Sequence, residues 1–322
     1  QQARDDAPEG YVHLFLVNSH NVLDKNAKEL DVRAKMSAIT GDEQWNSDVK
    51  VLTLEHSMAA VRLDFKDFYE LFARLPKYQM SFLQGDMAEM SFFANMVFPL
   101  MTMLKENDGI GVLNLLKKKS PLLEAVPDRD YPEMLGKIRN VLDELRSSNL
   151  EEMKVSEIIE FVQRNMLFAI PDHLTLALNS KEEEVDKDDK ESLAWVRALQ
   201  LPLRQFKAYD DYVHERTPYA THQGVKGLEF PRVLVLIDEE AAKGNMFSYE
   251  KLFNVTPLSQ TDIKNKEMGK ENSIDRTSRL FYVTCTRAKE SLAILMYTSN
   301  TERAKQTAIQ YGWFEEKEID IL

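Results

Sequence analysis

Two stretches of the sequence gather residue types able to handle a phosphate. In residues 219–237, YATHQGVKGLEFPRVLVLI, Gly224 and Gly227 flank Lys226. Glycine lets main-chain N–H groups approach an anion without a Cβ in the way. Thr221 and Gln223 add uncharged hydrogen-bonding groups, and Glu229 offers a carboxylate that can accept from a ribose hydroxyl. In residues 275–289, DRTSRLFYVTCTRAK, the arginines are Arg276, Arg279 and Arg287. The spacing of Arg279 and Arg287 predicts that they lie near one face of a helix. An arginine held on a rigid element beside a phosphate suits stabilisation of the charge that develops in phosphoryl transfer.

The elements that must position these residues follow an α/β rhythm at both ends of the chain. Residues 11–17 (YVHLFLV) and 49–54 (VKVLTL) read as strands, rich in β-branched and apolar residues. Helical apolar spacing covers 24–39 and 57–75. The pattern 219–237 reads as strand, glycine loop, strand. Residues 292–297 (LAILMY) form another buried-type strand, and 303–310 a helix. Such alternation predicts a parallel sheet with helices on its faces. Between about 77 and 205 the strands stop. Helices are expected over 87–104, 131–146, 155–166 and 191–209, separated by Asp108-Gly109, Pro121, Pro127 and Pro171. The charged run 181–191 (KEEEVDKDDKE) is expected to be an exposed loop or helix end.

Residues 221–230, THQGVKGLEF, closely resemble motif V of superfamily 1A DNA helicases of the UvrD/Rep/PcrA type, and 279–289, RLFYVTCTRAK, resemble motif VI. Residues 49–62, VKVLTLEHSMAAVR, are similar to a diverged motif IVa. Relatives often carry His where Gln223 stands, and two acidic residues where Arg276 and Thr277 stand. The resemblance implies a RecA-like domain 2A, residues 1–75 and 206–322, interrupted by a helical 2B-like insertion, residues 76–205. It further implies ATP with Mg²⁺ bound against a separate, N-terminal Walker-bearing RecA-like domain, in the same chain or a partner subunit. Arg287 would then face the γ-phosphate, Glu229 the ribose, and Gly227 the nucleotide cleft. Thr221, Gln223, Lys226, His56 and Arg62 would lie along single-stranded or duplex-junction DNA. The implied activity is ATP-dependent translocation or unwinding, 3′ to 5′.

The phosphate loop G-x-x-x-x-G-K-[ST] is absent from these residues. This chain alone is therefore expected to be inactive, supplying one wall of an ATP site. Residues 234–239 end in Asp238-Glu239 after an apolar run, as a Walker B strand does. They follow motif V directly, so strand-end caps are expected there rather than Mg²⁺ ligands. Two alternatives stay open: a non-catalytic DNA-binding or regulatory module that keeps the fold, and a helicase subunit of a repair or defence nuclease complex.

Composition narrows the field. The 322 residues carry a net charge of −12, which argues against a generally basic nucleic-acid coat but allows a local basic track. A single cysteine, Cys285, excludes a disulfide scaffold and a multi-cysteine metal site. It is expected to be a buried structural thiol. The histidines lack metal-ligand spacing. The longest apolar run, 90–104, contains Asn95 and Pro99 and is too short to span a membrane. A cytoplasmic setting is the resulting expectation.

Overall fold

The computed structural model describes residues 10–123, 131–242 and 246–322. Residues 1–9 and the breaker Pro127 lie outside the described residues. Two compact units emerge, Gln1–Arg62 with Thr217–Leu322, and Leu63–Arg216.

The first unit is built on a six-stranded sheet in the order β3-β2-β4-β5-β1-β6. Its strands are β1 (Tyr11–Asn18), β2 (Lys50–Thr53), β3 (Tyr219–Thr221), β4 (Phe230–Ile237), β5 (Ala288–Thr298) and β6 (Ile319–Ile321). Every pairing is parallel. At the centre Leu14 stands beside Ile294, and Leu234 beside Ala293. Strand side chains alternate between faces, and both faces here are covered. Leu14, Leu16, Val233, Val235 and Ile294 enter one apolar cluster with Tyr249, Phe253 and Phe281. Phe15, Val17, Leu234, Leu236 and Leu295 enter the opposite one, with Val32, Met36 and Trp45. Two-sided burial explains why these strands read as continuous apolar runs.

The helix Lys25–Thr40 starts on Asp24, whose carboxylate accepts from Ala27 N–H, and ends at Gly41 with φ +71°. A polar cap and a left-handed glycine are the usual helix punctuation. The single helix expected over 57–75 is instead two, His56–Arg62 and Lys66–Phe72, one in each unit. Asp64 between them takes φ +60°, which no helix continues through.

Among its described residues, the second unit is helical, with one isolated bridge between Lys154 and Pro202. Its aromatic core packs Phe68 against Phe72, Phe206 and Tyr209, at ring-centroid distances of 4.9, 4.5 and 5.0 Å. Residues 63–75 and 206–216, expected with the sheet, fall in this unit. Two expected helices are broken by proline. Residues 191–209 divide into Lys190–Ala198 and Leu203–Val213, with Pro202 at the break. Residues 87–104 become a short 3-10 turn, a π-helical turn Phe93–Val97 and the helix Phe98–Lys105. Pro99 has no N–H to donate, so the regular i to i−4 ladder is interrupted there. A further helix, Asp172–Asn179, follows Pro171 directly. Among the described residues, no helix is long and apolar enough to cross a membrane.

Candidate functional site

The glycine-rich segment forms the turn between β3 and β4 in the sheet unit. Thr221 closes β3, and its hydroxyl accepts from Gly224 N–H at 3.1 Å. The Gly224 N–H also lies 3.0 Å from Thr221 O. Thr221 is buried by this work, so its side chain shapes the turn and is not presented to a ligand. Gly227 has φ +83°, with open space where a Cβ would stand. Gln223, Lys226 and Glu229 are exposed around it. Lys289 Nζ lies 3.7 Å from Glu229 Oε2, an ion pair across the start of β4 and β5.

His222, between Thr221 and Gln223, is fully buried. Its Nε2 lies 3.2 Å from Leu52 O in β2, and its Nδ1 3.2 Å from the Tyr249 hydroxyl. A carbonyl only accepts, so this network assigns the proton to Nε2 and makes Nδ1 an acceptor for the Tyr249 O–H. Burial pushes the imidazole pKa down to about 4. Local sequence carries no sign of this role, because the ring's partners, Leu52 and Tyr249, are distant along the chain.

The second arginine-bearing segment is the helix Ser273–Cys285. Asn272 caps it, accepting from Ile274 and Asp275 N–H, while Asp275 accepts in return from Asn272 N–H at 3.0 Å. Arg279 is exposed and pairs with Glu271. Arg287 lies beyond the helix end rather than on it, and is buried. The two arginines therefore share no helical face. The chain turns at Thr286, and the guanidinium folds back. Nε donates to Val283 O at 2.8 Å, Nη1 to Leu228 O at 2.9 Å and Nη2 to Thr286 Oγ1 at 3.0 Å. The Val283 bond satisfies a carbonyl at the helix C-terminus, where a cation is favoured. The Leu228 bond reaches the glycine turn. Phe230 N–H also donates to Arg287 O at 2.8 Å. The glycine turn and the helix end are thus tied side chain to main chain and main chain to main chain. Among the described residues, the guanidinium's partners are uncharged oxygens.

Two expected DNA contacts lie elsewhere in the unit. The Arg62 side chain is 5% exposed, with Nε and Nη2 on Glu29 Oε1 at 2.8 and 2.6 Å and Nη1 on Met58 O at 3.2 Å. Each of its three nitrogens thus bonds within the protein, joining the helices Lys25–Thr40 and His56–Arg62, rather than being directed to DNA. His56 begins its helix half-buried, and burial lowers its pKa. Asp238 is buried and pairs with Lys25 at 2.6 Å, while also accepting from Ala241 N–H at 3.2 Å. Glu239 accepts from Glu250 N–H at 2.7 Å and from Ser248 Oγ at 3.2 Å. Both carboxylates serve as caps. Among the described residues, no cluster of three or more His, Cys, Asp or Glu side chains is arranged to hold a metal.

A model of the UvrD-like helicase C-terminal domain matches residues 131–299, more than half of the chain. This span includes both the glycine turn and Arg287. The chain belongs to the UvrD-like helicase C-terminal domain family. Its six-stranded parallel sheet with covering helices is consistent with a RecA-like domain of that family. The chain is also similar to Gabija protein GajB of Bacillus cereus (strain HuB5-5), at 23% identity over 295 residues. That match covers 81% of this chain and 41% of the relative, so the chain spans less than half of the relative's length. Membership of the UvrD-like family makes the function helicase-related.

Proposed function

We propose that this chain is the C-terminal motor part of an ATP-dependent superfamily 1 DNA helicase or translocase. In this reading the glycine turn belongs to the single-stranded-DNA track and Arg287 to the ATP site. The sheet unit is the 2A domain and the helical unit a 2B-like insertion that meets duplex DNA or regulates. Movement is 3′ to 5′. A Walker-bearing domain, in the same polypeptide or a partner, supplies the other wall of the site and the Mg²⁺ ligands.

The observation that carries this reading is the state of Arg287. Its buried guanidinium donates to neutral oxygens, one of them in the glycine turn. An anionic phosphate oxygen outcompetes a neutral acceptor for a guanidinium, because it adds charge–charge attraction in a site shielded from water. The residue set therefore fits a nucleoside triphosphate: Arg287 toward the terminal phosphate and Glu229 toward the ribose. ATP, when bound, supplies the phosphoanhydride whose hydrolysis drives movement. Arg287 stabilises negative charge at the terminal phosphate. Its bond to Leu228 O gives the DNA-facing turn a direct line to that arginine. Lys226 and Gln223, exposed on the turn, donate to the DNA backbone.

The test is ATP turnover by this chain together with the Walker-bearing domain, with and without single-stranded DNA. Turnover should be DNA-stimulated, and Arg287→Ala should lower it by about a hundredfold or more. Turnover that ignores Arg287→Ala refutes the assignment. Binding of DNA without any turnover instead supports a non-catalytic module of the same fold.

A further inference from the structure

His222 and Val225 are the side chains of the glycine turn that reach into the core, and of the two His222 is the one held by hydrogen bonds. Three hydrogen bonds fix it. Its main-chain N–H donates to Thr53 O at 2.9 Å, and its two ring nitrogens meet Leu52 O and the Tyr249 hydroxyl, each at 3.2 Å. Tyr249 is fully buried. Its ring stands edge-on to His222, with centroids 6.1 Å apart, and edge-on to Phe281 at 5.9 Å. Phe281 belongs to the helix Ser273–Cys285, which leads into Arg287. The short helix Tyr249–Leu252 thus touches the glycine turn on one side and the arginine-bearing helix on the other. β2, which supplies the two carbonyls, leads into the helix His56–Arg62.

The turn is consequently held at both ends by different means. Arg287 grips its last residues through Leu228 O and Phe230 N–H. His222 grips its first residues. Between these anchors, Gln223 and Lys226 are exposed. The direction of those side chains depends on where the His222 main chain sits. Hydrophobic contact alone would leave the ring free to rotate. Two directional bonds to fixed partners define its position and orientation.

We infer that His222, braced by Tyr249, is a positioning residue that presents the exposed face of the turn to single-stranded DNA and ties it to the Phe281 helix. The inference rests on the proposed DNA role of the turn. His222 touches no ligand; it acts through Gln223 and Lys226.

The experiment measures binding of fluorescein-labelled oligo-dT to the whole chain by fluorescence anisotropy, with thermal melting followed in parallel. His222→Leu removes both bonds. Tyr249→Phe removes one and keeps the ring. His222→Gln supplies an N–H donor and a carbonyl acceptor again. Lys226→Ala serves as the direct-contact control. The expected result is about a tenfold weaker Kd for His222→Leu and for Tyr249→Phe, with recovery to within about threefold in His222→Gln. Loss of melting temperature with Kd unchanged in Tyr249→Phe makes the network purely structural and overturns the inference. Two failures are separable. If Lys226→Ala weakens binding while both His222 and Tyr249 variants bind normally, only this inference falls. If oligo-dT does not bind, or Lys226→Ala has no effect, the DNA role of the turn falls and the inference with it.

Discussion

Replacing Arg62 with methionine separates a packing role from a DNA-contact role. Arg62 and Glu29 both have about 5% of their side-chain surface exposed, and they are joined by bonds of 2.6 and 2.8 Å. Removing one member of a buried pair leaves an uncompensated charge and costs about 3–5 kcal/mol. Burial already raises the Glu29 pKa, against the opposing pull of Arg62. Arg62→Met takes that pull away, so the pKa rises further. A carboxyl with a raised folded-state pKa binds its proton more tightly in the native state. Its contribution is complete below the unfolded carboxyl pKa and is lost as pH rises through the folded value. Arg62→Met should therefore be most destabilised near pH 8 and regain stability toward pH 5. Adding Glu29→Gln should remove this pH dependence and recover much of the loss. The assay is urea unfolding followed by tryptophan emission, since Trp45 lies in the same apolar cluster as Val32 and Met58 from the two helices. A cost below about 1 kcal/mol at pH 8, or a cost that does not change with pH, refutes this account. So does weakened oligo-dT binding by a variant that unfolds like the parent.

Four further outcomes are expected. His222 has its pKa pushed down to about 4 by burial, below its ordinary value near 6.5. Stability should be full above pH 6.5 and fall by about 3 kcal/mol on acidification to pH 4; acid titration of unfolding in the parent and in His222→Gln, which should be flatter, checks this. Gly227→Ala forces a Cβ onto φ +83° in open space, so backbone strain alone should cost about 1–2 kcal/mol, readable by thermal melting. Arg287→Lys keeps the charge but cannot make three directed bonds at once, so DNA-stimulated turnover should fall nearly as far as in Arg287→Ala. Cys285 borders a cavity of about 300 Å³ with Phe281 and Trp313, and burial pushes its thiol up to about 12. Alkylation by iodoacetamide at pH 8 should be slow in the native chain and fast in urea, because the thiolate is the reactive form.

The parallel strands were legible because burial on two faces writes an unbroken apolar run, as in RVLVLI. The short β6 was not, since three residues carry no periodicity. The helix breaks at Pro99 and Pro202 were in plain view, but apolar spacing continues across them and concealed the interruption. At the site, residue types and order pointed to the turn and to Arg287. The same text could not show that Arg287 lies past the helix end, because its position depends on the cap at Thr286. Nor could it show Arg62 buried against Glu29. That pairing requires two helices, separated in sequence by β2, to meet with opposite charges at the same height. His222 escaped notice for a related reason: its partners, Leu52 and Tyr249, come from distant stretches of chain.

The pairing of β1 with β5 sets the order of assembly. Tyr11 meets Ser291, so the middle of the sheet cannot form until the chain has been made past residue 291. The helical unit, residues 63–216, lies entirely between those strands and closes over much shorter loops, which favours early folding. On the ribosome, β1 therefore emerges ahead of the helical unit, and its neighbour β5 only after it. During that wait its apolar core, LFLV, is an unpaired edge open to association with other chains.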